Sequence, residues 1–218
     1  MLSLSTLAIT VAATGCMDMA DPSTSTDPSA DPAADSTATD AIQPDVLSAN
    51  IHTAFVYFVD RGLTKRQAAG IVGNLMQESQ VNPRAVEPGG PGRGIAQWSV
   101  GGRWDRSSGD NVTEYANNHH ENRWTLGTQL AFTWHELASF PTYGLHDLRS
   151  RTTIAGATIA FMSDFERCGD CLSSQRIAYA HEVFDAYAKT TASAADDAAD
   201  SDQDGDDAAD AADVDANR

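Results

Sequence analysis

The chain has 218 residues and a formal net charge of −17, carried very unevenly. Seven aspartates and no base between Met17 and Asp45 give −7, ten aspartates and one arginine between Ala192 and Arg218 give −9, and the remainder carries only −1. A near-neutral middle between acidic ends offers no basic face, which excludes nucleic acid as a partner, and the length admits one domain with tails.

In chain order, the first signal is the apolar stretch Leu2 to Thr14. It is too short to cross a membrane as a helix but suits the apolar region of an export signal. It ends in Ala13-Thr14-Gly15-Cys16, and small residues immediately before a cysteine resemble the lipobox of bacterial lipoproteins. The resemblance implies a signal peptide over 1–15, an acylated Cys16 as membrane anchor, and a location in the cell envelope. Two features depart from the pattern: Ala13 stands where leucine is usual, and no Lys or Arg precedes the apolar run. An ordinary secretory signal with an incidental cysteine is the alternative. Residues 16–45, built from Asp, Ser, Thr, Pro and Ala, bury too little apolar surface to offset ordering and are expected to form a disordered tether.

All four Trp, all five Tyr and all seven Phe lie within 46–190, the expected folded domain. Helical periodicity dominates it. Ile51, Phe55 and Phe58 mark a first helix over Val46–Asp60, ended by Gly62. Thr64 is a natural N-cap for a second helix reaching about Gln80, with Pro83 preventing continuation. Val81 to Glu121 is glycine-rich and reads as a long loop with room for a short hairpin. Three more helices pass through Leu126, Leu130, Trp134 and Leu137; Ile154, Ala157, Phe161 and Phe165; and Ile177, Ala180, Phe184 and Tyr187. The acidic stretch 191–218 is expected to be a disordered tail.

Cys168 and Cys171 follow an apparent helix, where a redox pair would instead open one. A zinc site needs two more ligands, and His181 is a single candidate, so an exported chain points to a small disulfide. Asp200 to Asp206 imitates the opening of a calcium loop, but Ala211 stands where the closing glutamate belongs. His119-His120 lacks a spaced third ligand. No metal and no cofactor are expected.

Glu78 is the candidate for the chemistry. It lies three residues past Leu75 on the face of the second helix marked by Ala68, Ile71 and Val72. Apolar surroundings and the negative end of the helix dipole both disfavour its ionised form, which suits a general acid in glycoside cleavage. A partly buried glutamate paired with an arginine is the structural alternative. The run Gly70 to Ser79 continues through Asn82-Pro83-Arg84-Ala85 to Gly94-Ile95-Ala96-Gln97-Trp98-Ser99. This resembles the Glu-Ser, Asn-Pro, Gly-Ile-x-Gln pattern of lytic transglycosylases and goose-type lysozymes. With Arg103-Trp104, Gln129, Trp134-His135-Glu136-Leu137 and Phe165-Glu166, the sequence is most similar to the phage tail lysozyme family over nearly all of the middle domain.

That resemblance implies a mainly α (α+β lysozyme-like) fold, a helical bundle whose glycine-rich loop or small hairpin forms the substrate groove. It implies that Glu78 protonates the glycosidic oxygen between N-acetylmuramic acid and N-acetylglucosamine. Ser79 would orient it, and Gln97, Trp98, Arg103 and Trp104 would line the groove. For Trp98 and Trp104 simple core packing is the alternative, and Arg103 reads equally as a surface arginine. The second carboxylate that a hydrolase normally presents is sought among Glu166, Glu87 and Asp105, with Asp110 a further candidate. Glu166 reads equally as a tie to Arg167 or Arg176. Lytic transglycosylases need only one glutamate, so hydrolysis and transglycosylation both stay open. The expected partner is the peptidoglycan glycan strand, met by an exported monomer. The competing function is a non-catalytic, peptidoglycan-binding envelope lipoprotein.

Overall fold

A computed structural model describes residues 44–106, 110–168 and 171–188. The expected signal peptide, Cys16, nearly all of the tether and the acidic tail lie outside the described residues.

Helix α1 (Pro44–Val59) begins two residues before the expected start, with Pro44 at a position where a missing N–H costs nothing. Its Ala54, Phe55 and Phe58 are buried, while Ile51 is half-buried. Helix α2 (Lys65–Ser79) opens on a capping box: Thr64 accepts from the Gln67 N–H, and the Gln67 side chain accepts from Thr64 N–H. The apolar face read from sequence is the core itself, with Ala68, Ile71, Val72 and Leu75 fully buried. Gln80 closes the helix in the left-handed conformation.

The glycine-rich region holds the expected hairpin in minimal form. Strands β1 (Gly92–Arg93) and β2 (Trp98–Ser99) pair antiparallel, Gly92 opposite Ser99. It also holds a helix where a loop is expected, α3 (Val112–His119), capped by the Asn111 side chain on Glu114 N–H. Only Val112 and Ala116 of α3 are buried, too few apolar positions to reveal its period.

Helix α4 (Leu126–Ser139) lies where expected. A short 3₁₀ turn (Pro141–Tyr143) leads to an unanticipated six-residue helix, α5 (Leu145–Ser150). The helix expected through Phe165 is α6 (Ile154–Phe161), which widens into a π turn over Met162–Glu166. Helix α7 (Ser173–Tyr187) follows.

Helix α2 is the central element, packed against α1, α6 and α7. Its glycines explain how. A Cβ on Gly70 would sit 2.8 Å from Thr158 N of α6, and one on Gly73 would sit 2.6 Å from Arg176 O of α7. The fold is mostly helical with a two-stranded sheet, as the α+β lysozyme-like expectation has it. No helix among the described residues is long and apolar enough to cross a membrane.

Candidate active site

The C-terminal turn of α2 delivers Glu78 and Ser79 to the seam between the helices and the hairpin. Ser79 Oγ donates to Ile95 O (2.9 Å) and accepts from Asn82 N–H (3.2 Å), fastening the helix end to the hairpin loop. Gln129 of α4, fully buried, fixes that loop from the other side. Its amide oxygen accepts from Ile95 N–H (2.9 Å), and its nitrogen donates to Pro83 O (2.8 Å) and Arg123 O (2.7 Å). Gly94 has φ +71, and a Cβ there would fall 2.6 Å from Gln129 Oε1, so glycine is required on both counts. Gln97 is held at φ 48 with its amide donating to Gly94 O (2.8 Å). A non-glycine residue kept in the left-handed region belongs with the strained positions that gather at functional sites.

These elements enclose a polar cavity of about 310 Å³ lined by Gln77, Glu78, Ala96, Gln97, Glu166 and Arg176, with Cys168 also in its wall. Glu78 Oε1 accepts from Arg176 Nη2 at 2.6 Å, an ion pair whose arginine side chain is 3% exposed and whose glutamate is 19% exposed. Arg176 is itself fully engaged. Its Nη1 donates to Asn74 Oδ1 (3.1 Å) and its Nε to Cys171 O (2.6 Å). Asn74, wholly buried on α2, donates in turn to Gly70 O and Thr158 O. The partnered glutamate considered from sequence is therefore the geometry present, and it faces the cavity. Cys168 and Cys171 are joined by a disulfide beside it.

Glu166 enters from the π turn, a helix distortion that re-aims a side chain and recurs at functional sites. Burial pushes its carboxyl up to about 8, and the nearby charge of Glu78 pushes in the same direction. Two carboxyl groups thus share one polar cavity, one paired with a guanidinium and the other pushed by burial towards its protonated form. Among the described residues no group of three or more His, Cys, Asp or Glu is placed to hold a metal.

The sequence model of the phage tail lysozyme family matches residues 49–187, from within α1 to the end of α7. The chain belongs to that family. With membership comes a lysozyme-like, peptidoglycan-cleaving function. No curated protein matches the chain.

Behind the cavity of this lysozyme domain lies a second ion pair, its glutamate buried and its arginine half-buried. Arg103 makes a two-pronged contact with Glu136 of α4, Nε to Oε1 and Nη2 to Oε2, both 2.7 Å. Trp98 Nε1 donates to the same carboxylate at 3.3 Å, and Arg103 Nη1 donates to Phe165 O at 3.0 Å. Burial raises the Glu136 carboxyl to about 7, against the opposing pull of Arg103. This network clamps the π turn that carries Glu166 to the hairpin that carries Gln97.

Of the residues expected on the groove, the structure brings Glu78, Gln97 and Glu166 to the cavity and keeps Ser79 behind it. Trp98 and Trp104 lie elsewhere, in the core, at 2% and 1% exposure: Trp98 packs edge-on against Phe132, and Trp104 lies against Trp124. An enclosed indole presents no face to a sugar. Arg103 is half-buried and outside the cavity wall; it sits over Tyr143 and Phe165 while holding Glu136. Glu87 accepts from Gly92 N–H in the hairpin, Asp105 from Gly101 N–H in an exposed turn, and Asp110 from the Tyr143 hydroxyl, none of them in the cavity wall. Sequence reading assigned no role to Glu136 or Asn74. Asn74 left a signal, since it lies four residues before Glu78 on an otherwise apolar face, where a polar side chain needs a partner.

Proposed function

We propose that the chain is a muramidase that cuts the bond between N-acetylmuramic acid and N-acetylglucosamine in peptidoglycan, with Glu78 giving its proton to the glycosidic oxygen. The observation that carries this reading is the shared cavity: Glu78 opens onto the same polar space as the Gln97 amide and a second carboxyl, Glu166. The amide suits an N-acetyl group, and two carboxyls on one cavity suit acid–base cleavage of a glycoside. Trp98, Trp104 and Arg103 act in this scheme as the frame that holds the cavity walls. Export through residues 1–15, attachment through Cys16, a tether over 16–45 and an acidic tail over 191–218 complete the proposal, placing a monomeric domain at the envelope.

The test is mass spectrometry of fragments released from purified peptidoglycan by the full chain. Reducing ends identify hydrolysis, and 1,6-anhydro ends identify transglycosylation. Glu78→Gln keeps the shape and removes the proton, so it is expected to bind wall material and release nothing. Full activity in that variant would remove Glu78 from the mechanism. A folded wild-type chain that captures sacculi without cutting them would make it a binding protein.

A further inference from the structure

A recess of about 480 Å³, larger than the candidate active site, lies between the C-terminal turn of α4, the 3₁₀ turn and α5. Leu137, Pro141 and Leu145 give it an apolar wall, and His146, Arg149 and Ser150 of α5 supply the polar side. His146 and Arg149 stand three residues apart and share one face of their helix. The serines of the recess are occupied: Ser139 Oγ lies 3.4 Å from His135 Nδ1, and Ser150 Oγ donates to Asp147 O at 2.6 Å. Asp147, the neighbouring acid, pairs with Arg151 at 2.8 Å.

His146 and the Arg149 guanidinium make no hydrogen bond or ion pair among the described residues. The guanidinium lies over the Trp134 ring, 5.9 Å from its centroid. Its backbone is fixed from the core, because the buried Gln67 amide of α2 donates to Arg149 O (3.0 Å) and Arg151 O (2.9 Å). A planar fork placed in this way suits a carboxylate, which it can hold through two parallel bonds. The apolar wall beside it suits side chains the size of a methyl group. No tryptophan, tyrosine or phenylalanine lines the recess, so no ring is offered for a sugar to stack on.

We propose that this recess binds the peptide part of peptidoglycan, a short chain of small residues whose free carboxylate is gripped by Arg149 beside His146. This rests on the peptidoglycan reading above and deepens it, giving the peptide a place apart from the glycan. Charge complementarity selects the occupant. Wall peptides carry free carboxylates and alanine methyls, while the middle of the chain is close to neutral, so the attraction comes from one unpaired guanidinium and not from a general field. Position favours it too. Pro141 lines the recess, the next residue accepts at Thr142 O from Arg167 Nη2 (2.7 Å), and Arg167 follows Glu166 of the active-site cavity. One turn joins the walls of the two sites, so a peptide held here keeps its polymer close to the cavity.

The experiment titrates the ¹⁵N-labelled full chain with the soluble peptide L-alanyl-γ-D-glutamyl-L-lysyl-D-alanine and follows it by NMR. We expect saturable shifts of the Trp134 indole and of the α5 amides. Arg149→Gln, or amidation of the peptide carboxylates, should weaken binding by about tenfold or more. Arg149→Lys keeps the charge without the fork and should recover only part of the affinity. Arg149 is exposed, so these substitutions leave the core untouched. In cleavage assays, Arg149→Gln should raise KM for intact sacculi several-fold more than KM for strands stripped of peptide by an amidase. No saturable shift in α5, or one that survives Arg149→Gln, would overturn the proposal. So would α5 shifts that appear only when the aspartates of 192–218 are changed to asparagine, since the chain's own acidic segment would then be the occupant. A wild type that binds the peptide through Arg149 yet cuts no peptidoglycan would support the recess and count against the muramidase reading.

Discussion

Arg176 shows how one side chain can belong to the core and the candidate site together. It is 3% exposed, and its donors reach Glu78, Asn74 and the carbonyl of Cys171. Removing it strands Asn74 Oδ1 in the core and leaves Glu78 without the guanidinium that orients it. Arg176→Met should therefore cost about 1–3 kcal/mol in urea denaturation, the price of buried acceptors left unpaired. It should also reduce peptidoglycan cleavage at least tenfold. Arg176→Lys keeps the charge but not the planar fork, and should recover stability better than activity. Equal recovery of both would mean that Glu78 needs a positive charge nearby and not a fixed orientation. Trp98 offers the opposite lesson, because its indole N–H serves Glu136 in the interior and its ring never reaches the cavity wall.

Among the elements, α2 combines two demands that usually conflict. It presents Ile71, Val72 and Leu75 to the core, and it lets α6 and α7 approach its backbone at Gly70 and Gly73. Glycine costs a helix interior up to about 1 kcal/mol relative to alanine, so two of them within one turn require a packing reason. Gly73→Ala should consequently destabilise the domain by about 1–3 kcal/mol despite its better helix propensity, because the new methyl meets α7 backbone at Arg176 O. Since that contact carries Arg176, cleavage should fall along with stability. Gly127 of α4 has nothing within 4 Å of an added Cβ, so Gly127→Ala is the matched control. It should leave cleavage unchanged and raise the denaturation midpoint slightly. If both substitutions behave alike, the close approach of α7 to α2 is not what fixes the site. The same element also shows what a sequence can reveal locally. Thr64, Gln67 and the apolar face of α2 are all read from neighbours in the chain, and all fall where the pattern puts them.

For the molecule as a whole, the site is assembled from distant segments: Glu78 from α2, Gln97 from the hairpin, Glu166 from the π turn and Arg176 from α7. The disulfide between Cys168 and Cys171 lies between the last two and supplies Arg176 with the Cys171 carbonyl. So short a crosslinked loop contributes only about 2 kcal/mol by restricting the unfolded chain. Reduction should then leave the helical circular dichroism intact at room temperature while lowering cleavage several-fold, as the carbonyl that steadies Arg176 is released. Full activity after verified reduction would confine the disulfide to a stabilising role.

The helices long enough to repeat an apolar face, their caps, and the ordered motifs from Glu78-Ser79 to Phe165-Glu166 are all legible in the bare chain. Those signals are local, or are carried by chain order, and one chain is enough to display them. Helices α3 and α5 escaped because eight and six residues leave too few apolar positions to set a period. It takes the packed chain to show that Trp98 and Trp104 are core, that Arg103 grips Glu136, and that Arg176 meets Glu78 across 98 positions of sequence. A charge's partner and an indole's exposure are set by whichever surfaces the packing brings together. No local pattern of residues encodes that distance.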